Sequence, residues 1–120
     1  MLKPTTFLAV LLVLAALTLP IARATAQQPV VTESNLTEMI KNAKTPAEHE
    51  AIAAFYDREA AANEERAKIH RNDANIYAKP GMTLHCNNLA RDFRRAAKED
   101  KALAEAHREM AKKAAEQKGR

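Results

Sequence analysis

The tripeptide Lys79-Pro80-Gly81 divides the C-terminal part of the chain into two helix-forming stretches. Residues 47–78 contain no glycine or proline and are rich in Ala, Glu and Arg, and residues 82–117 have a similar composition. Proline breaks a helix interior and glycine weakens one, so the tripeptide predicts a break. Two helices of roughly 30 residues joined by a short loop form an antiparallel hairpin. The predicted fold class is therefore all-α.

The stretch Thr45-Pro46-Ala47-Glu48 predicts where the first long helix begins. Thr45 is suited to cap the helix, proline suits the first helical position, and Glu48 can bond back to the cap amide. Upstream, apolar residues at helical spacing predict a short helix near residues 34–44, and residues 27–32 resemble a mobile leader. The apolar residues of the short helix are Leu36, Met39, Ile40 and Ala43.

Both long helices carry a heptad pattern, in which residues at alternating steps of four and three face a partner helix. In the first helix this seam alternates alanine with polar or aromatic residues: His49, Ala53, Tyr56, Ala60, Asn63, Ala67, His70, Ala74 and Tyr77. In the second helix the same stepping predicts Met82, Cys86, Leu89, Phe93, Ala96, Asp100, Leu103, His107, Met110 and Ala114. The pattern predicts a coiled-coil-like hairpin with an alanine-rich seam.

Folding the hairpin at Gly81/Met82 makes the numbers of facing residues sum to about 163, by the geometry of an antiparallel pair. This register pairs polar seam residues and opposite charges. The predicted pairs are Asn63 with Asp100, Tyr56 with His107, Tyr77 with Cys86, Glu64 with Lys101, Asp57 with Arg108 and Arg66 with Glu99. Polar residues in such seams often fix the register and the partner.

Each helix carries a further stripe outside its predicted seam. The stripes are Phe55, Ala62, Ile69 and Ile76 in the first helix, and Ala90, Ala97, Ala104 and Ala111 in the second. We expect them to lie on opposite sides of the hairpin, with the short helix covering part of one. The other stripe needs a partner, and a homodimeric four-helix bundle would provide it.

Residues 1–26 have the pattern of a secretory signal peptide. Lys3 is followed by the apolar run Phe7 to Leu17, a breaking Pro20, and the small residues Ala24 and Ala26 at a cleavage site. The apolar run is too short for the roughly 20 residues of a membrane span. The protein is therefore predicted to be periplasmic or secreted, without stable membrane insertion after cleavage after residue 26.

The predicted mature chain, residues 27–120, has 94 residues and divides into a leader with a short helix, 27–44, and the hairpin, 45–120. Without the two basic residues of the signal, 17 basic residues face 15 acidic ones, a balance that gives no argument for nucleic-acid binding. Only one serine remains, in a helix start, and no glycine-rich phosphate loop is present. We therefore expect no enzymatic activity.

The single cysteine, Cys86, follows His85 near the hairpin tip. In an oxidising compartment it could be buried packing, an intermolecular disulfide or a metal ligand. Adjacent helical residues diverge by about 100°, so the two side chains do not favour one shared ion. Copper or zinc is the alternative cofactor, and the candidate ligands are His49, His107, Met110, His85 and Cys86. The best cluster among them is His107 and Met110, three residues apart, with His49 reaching in from the open end.

Three segments, AEHEAIAAFYDREA (47–60), HCNNLARDFRRAA (85–97) and LAEAHREMA (103–111), resemble those of uncharacterised small secreted helical-hairpin proteins of Gram-negative bacteria. The resemblance implies a helical hairpin and a periplasmic or secreted address, and no activity is assigned to that group. The predicted function is a non-enzymatic interaction module that binds itself or another envelope protein. The alternative is a periplasmic copper- or zinc-binding protein.

Overall fold

A computed structural model describes residues 27–120, so the predicted signal peptide lies outside the described residues. It shows three helices, α1 (Leu36–Asn42), α2 (Pro46–Ile76) and α3 (Pro80–Lys118), and no strand in residues 27–120. The two long helices pack against each other along their length, and α1 packs against α2. The prediction of an all-α helical hairpin preceded by a short helix is confirmed.

The helix boundaries follow local chemistry. The Thr45 hydroxyl accepts a hydrogen bond from the Glu48 amide at 3.2 Å, and the Glu48 carboxylate accepts one from the Thr45 amide at 2.9 Å. This is the predicted capping box. At the tip, α2 ends at Ile76, two residues earlier than predicted, and α3 begins at Pro80 itself. Proline is tolerated there because the first helical residue donates no intrahelical hydrogen bond.

The predicted register of the two long helices is confirmed by their cross-helix contacts. Asn63 donates to the Asp100 carboxylate at 2.9 Å, and the His70 and Phe93 rings stack with centroids 5.5 Å apart. Glu64 pairs with Lys101, and Asp57 pairs with Arg108. Arg66, predicted to lie near Glu99, instead donates to the side-chain oxygen of Asn63 at 3.0 Å.

The predicted seam of α3 is wrong in half of its positions. Cys86 and His107 are buried as expected, but Leu103 is 43% exposed while its neighbour Ala104 is 0% exposed. The alanine stripe that we expected on a flank forms the buried column of α3: Ala90, Ala97, Ala104 and Ala111. Alanines on both helices let the backbones approach closely, whereas leucine and methionine in that column would hold the helices apart.

The expectation that the α2 stripe and the α3 alanine stripe lie on opposite sides of the hairpin is also wrong, because the alanine stripe lies in the seam. The ion pairs Asp57–Arg108 and Glu64–Lys101 join residues that directly follow a seam residue, which places them on one side of the hairpin. Residues that directly precede a seam alanine, such as Leu103 on α3 and Arg66 and Asp73 on α2, lie on the other side, and the Ile69 stripe of α2 lies further out on that side. We call this side, formed by Ala62, Ile69, Ile76, Leu89, Ala96 and Leu103, the apolar face.

The segment before α2 covers the open end of the hairpin, where α2 begins and α3 ends. Val31 is 2% exposed and belongs to a buried cluster with Ala51, Ile52 and Phe55, against which α1 places Leu36 and Met39. The Val31 carbonyl also accepts a hydrogen bond from Arg58 at 2.9 Å. The segment 27–32, predicted to be a mobile leader, is thus held at Val31. As expected, α1 covers part of the α2 stripe and leaves Ile69 and Ile76 exposed.

Candidate functional sites

Two histidines meet at the open end of the hairpin. His49 lies in the first turn of α2, one residue after the capping glutamate, and His107 lies in the α3 seam. Their Nδ1 atoms are 3.2 Å apart, and the ring centroids are 5.4 Å apart at a tilt of 35°. Because both residues lie on regular helices, the backbone aims the two imidazoles at each other.

The His107 ring is held on its other side by an aromatic neighbour. Tyr56 stacks on it with centroids 6.1 Å apart and planes 24° apart, and Phe55 contacts Tyr56 edge to face at 5.5 Å. His107 is only 7% exposed. A buried ring between an aromatic face and a second imidazole has few alternative orientations, so its ring nitrogens are well positioned.

Burial and a neighbouring imidazole favour the neutral form of His107. Burial lowers the pKa of His107, and the nearby His49 lowers it further. An Nδ1-to-Nδ1 hydrogen bond between neutral rings requires one ring to donate its N–H and the other to accept it.

The structure separates the five predicted metal ligands into two groups, one at the open end (His49, His107 and Met110) and one at the tip (His85 and Cys86). Met110 lies one turn from His107 on α3 and is largely exposed. Cys86 is 21 residues from His107 on the same helix, which is roughly 30 Å at 1.5 Å per residue. No cluster of three or more His, Cys, Asp or Glu side chains suited to a metal ion occurs in residues 27–120.

At the tip, Cys86 is a buried free thiol, whereas His85 beside it is exposed. The two side chains therefore point to different environments, as expected for neighbours on a helix. Tyr77, predicted to face Cys86, caps the end of α2 and is largely exposed. The position of Cys86 is that of a small apolar residue in the seam.

The ion-paired side of the hairpin has a like-charged position that we did not identify from the sequence. The pairs Asp57–Arg108 and Glu64–Lys101 are spaced by seven residues on each helix. The next step of seven places Arg71 opposite Arg94. These two arginines line an open groove of about 250 Å³ together with Glu64, Ala67 and Lys68.

None of the three helices in residues 27–120 has the length and apolar character needed to cross a membrane. No protein-family model, curated protein sequence or solved structure matches the chain.

Proposed function

We propose that the protein is a secreted, non-enzymatic association module in which the apolar face binds a second copy of the chain. The observation that supports this is the exposure of large apolar side chains in heptad register on one side of the hairpin. Ile69 is 49% exposed and Ile76 is 78% exposed, beside Leu103 on α3. Apolar stripes at this spacing are the surfaces that helices bury against other helices.

A two-fold axis can place the apolar face against its own copy. By the same register as the ion pairs, Ala62 lies at the level of Leu103, Ile69 at the level of Ala96, and Ile76 at the level of Leu89, with the α2 edge that carries Arg66 and Asp73 between the two stripes. A two-fold axis through the Ile69 layer, perpendicular to the helices, would place the Ile76 layer of one copy over the Ala62 layer of the other. Ile76 of one copy would then meet Ala62 of the other, as close packing favours, whereas Ile69 would pack against its own copy and Leu89 against Leu103.

Charge complementarity also favours a second copy over a different envelope protein. Arg66 lies three residues before Ile69 and Asp73 lies four residues after it, on the same edge of α2. The proposed two-fold axis would bring Arg66 of each copy near Asp73 of the other. In a self-complementary interface every such contact occurs twice.

Analytical ultracentrifugation of the 27–120 chain tests this proposal. We expect a dimer at micromolar concentration, and Ile69→Glu should give a folded monomer because it places a carboxylate in the interface. Leu84→Glu is the matched control, since Leu84 is also exposed, at 62%, but lies on the ion-paired side of the hairpin. It should leave the dimer intact.

A well-folded wild-type monomer at high micromolar concentration would contradict the second copy as occupant and would direct the search to another envelope protein. Equal effects of the two glutamate variants would show that the apolar face is not the interface.

The proposed address rests on the signal-peptide pattern of residues 1–26. Expression of the full chain in a Gram-negative host followed by mass spectrometry of the periplasmic fraction tests it. We expect a product that begins at Gln27. Recovery of the uncleaved chain from the cytoplasm would contradict the proposal.

The His49–His107 contact favours a second candidate function, binding of copper or zinc. Two imidazole nitrogens at about 2.0–2.1 Å from a tetrahedral zinc ion lie roughly 3.3–3.4 Å apart, close to the 3.2 Å separation of the two Nδ1 atoms. Met110 could supply a thioether, a ligand type that Cu(I) accepts readily. The site would therefore offer two imidazoles and one thioether at the open end.

Isothermal titration with Zn(II), Cu(II) and Cu(I) tests this candidate. One ion per chain should bind, and either His49→Ala or His107→Ala should abolish the signal. His85→Ala is the control because His85 is exposed at the opposite end. A signal lost in His85→Ala and Cys86→Ala would move the site to the tip, and no stoichiometric binding would reject it.

A further inference from the structure

The ion-paired side of the hairpin becomes strongly basic toward the tip. Two successive charge pairs, Asp57–Arg108 and Glu64–Lys101, are each neutral overall. At the next step of seven residues, Arg71 and Arg94 stand opposite each other with the same charge. Like charges that face each other across a helix pair repel and destabilise it. At the two preceding positions the facing helix supplies the opposite charge, whereas at this position it does not.

The carboxylates near this position are already engaged. Glu64, which lines the same groove, pairs with Lys101, and this contact lowers the pKa of Glu64. The salt bridges found in residues 27–120 involve neither Arg71 nor Arg94. The Nε of Arg94 donates to the Ala90 carbonyl at 3.4 Å, which leaves its terminal nitrogens free to bind a ligand.

The groove between the arginines has room for a small anion. Its volume is about 250 Å³, and its floor is the buried seam residue Ala67, whose small side chain keeps the groove open. Lys68 lies at the rim, where it pairs with Glu65 at 3.3 Å. By helical spacing, two further basic residues of α3 lie along the same side of the hairpin: Lys98, and Arg91, which pairs with Asp92 at 3.7 Å.

We propose that this groove, formed by Arg71, Arg94 and Lys68, binds a phosphate-type oxyanion. A tetrahedral oxyanion offers several acceptor oxygens, and the planar guanidinium presents paired donors that match them. An anion between Arg71 and Arg94 removes their mutual repulsion, so binding also stabilises the hairpin. The same chemistry is presented by free inorganic phosphate and by the phosphate of a lipid headgroup.

The neighbouring arginines Arg94 and Arg95 provide a matched test. Arg94 lines the groove, whereas Arg95 is an exposed residue one position further along α3 and outside it. Titration of the 27–120 chain with inorganic phosphate, followed by NMR of arginine side chains, should show saturable binding. Arg71→Gln and Arg94→Gln should each weaken it about tenfold, as expected for losing a charged hydrogen bond, and Arg95→Gln should leave it unchanged.

Stability gives a second measurement that does not depend on the ligand. Without phosphate, Arg94→Gln should raise the melting temperature relative to wild type because it removes a like-charged contact, and Arg95→Gln should not. With phosphate, wild type should be stabilised and Arg94→Gln should respond less. Equal responses of the Arg94 and Arg95 variants would show only general charge screening and would overturn the proposal.

Vesicle flotation distinguishes the two sources of the phosphate. Vesicles of neutral phosphatidylcholine are compared with vesicles that contain an anionic phospholipid. Binding to the anionic vesicles that depends on Arg71 and Arg94 assigns the groove to a headgroup, and saturable binding of free phosphate alone assigns it to a small anion. Failure of both probes rejects the site.

Discussion

Replacement of Ala104 by leucine measures how closely the two long helices approach. Ala104 is 0% exposed, and Ala60, which faces it by the register, is also buried. Leucine adds three carbon atoms to a layer without free space, and overpacking of this kind costs typically 1–3 kcal/mol. We expect a value in the upper half of that range, about 2–3 kcal/mol, because both neighbours lie on regular helices that cannot yield locally.

The intrinsic helix propensities of alanine and leucine differ little, so they contribute only a small part of the effect. For a domain of this size, a loss of 1 kcal/mol lowers the melting temperature by roughly 4–8 °C. The expected decrease for Ala104→Leu is therefore roughly 8–24 °C. Thermal unfolding followed by circular dichroism at 222 nm gives this value, at one fixed protein concentration because self-association would shift it.

Ala102→Leu is the control, since it makes the same chemical change two residues away at an exposed position of the same helix. It should leave the melting temperature nearly unchanged. If the two variants lost the same stability, Ala104 would not lie in the seam and the corrected rotation of α3 would be wrong.

Four further predictions concern separate features of the fold. Ala67→Leu should destabilise the protein by about 1–3 kcal/mol and Ala61→Leu should not, because only Ala67 is buried; equal denaturation midpoints would contradict the register. Thr45→Ala should cost about 1 kcal/mol through loss of the helix cap, measured by urea unfolding. Hydrogen bonds from the amides of Lys44 and Thr45 lower the pKa of Glu48, so the ionised carboxylate stabilises the fold above the usual carboxyl pKa, and this stabilisation is lost as the pH falls through the lowered pKa. Glu48→Gln should therefore weaken the dependence of stability on acid pH. An unchanged profile of stability against pH would contradict this role of Glu48. Cys86→Ala should keep the fold with a loss of about 1 kcal/mol, more than His85→Ala, and a wild-type dimer on non-reducing electrophoresis would show instead that the thiol is accessible.

The hairpin and its register could be predicted from the sequence because several independent signals agree. Lys79-Pro80-Gly81 interrupts the helical composition, and the capping box marks the start of α2. The register follows from polar seam residues such as Asn63 and Asp100, which must find partners when buried. Their contact forms as predicted.

The rotation of α3 could not be predicted in the same way. The two candidate seams share Cys86, Phe93, Asp100 and His107 and differ by one residue at every other position. Hydrophobicity favours Leu103 over Ala104, whereas close approach of the backbones favours alanine. The distance between helix axes decides between them, and it depends on packing along both helices together.

The candidate sites differ in how far the sequence indicated them. His49 and His107 were recognised as possible neighbours from their positions near the open end, but only the coordinates give the 3.2 Å separation of their Nδ1 atoms. The groove between Arg71 and Arg94 was missed. The signal was available, because the spacing that pairs Glu64 with Lys101 brings the two arginines together one heptad later.

The apolar face and the arginine groove lie on opposite sides of the same half of the hairpin. Residues that follow the polar seam positions form the groove side. The apolar face combines the α3 residues that precede the seam alanines with the Ile69 stripe of α2 on the same side. A second copy bound through Ile69 would therefore leave Arg71 and Arg94 open to solvent. The dimer would carry two such grooves on its outer surfaces, so that an oxyanion in one groove contacts no residue of the proposed interface. Association and anion binding can thus occur together on one hairpin, and the His49–His107 layer lies beyond both of them, at the open end.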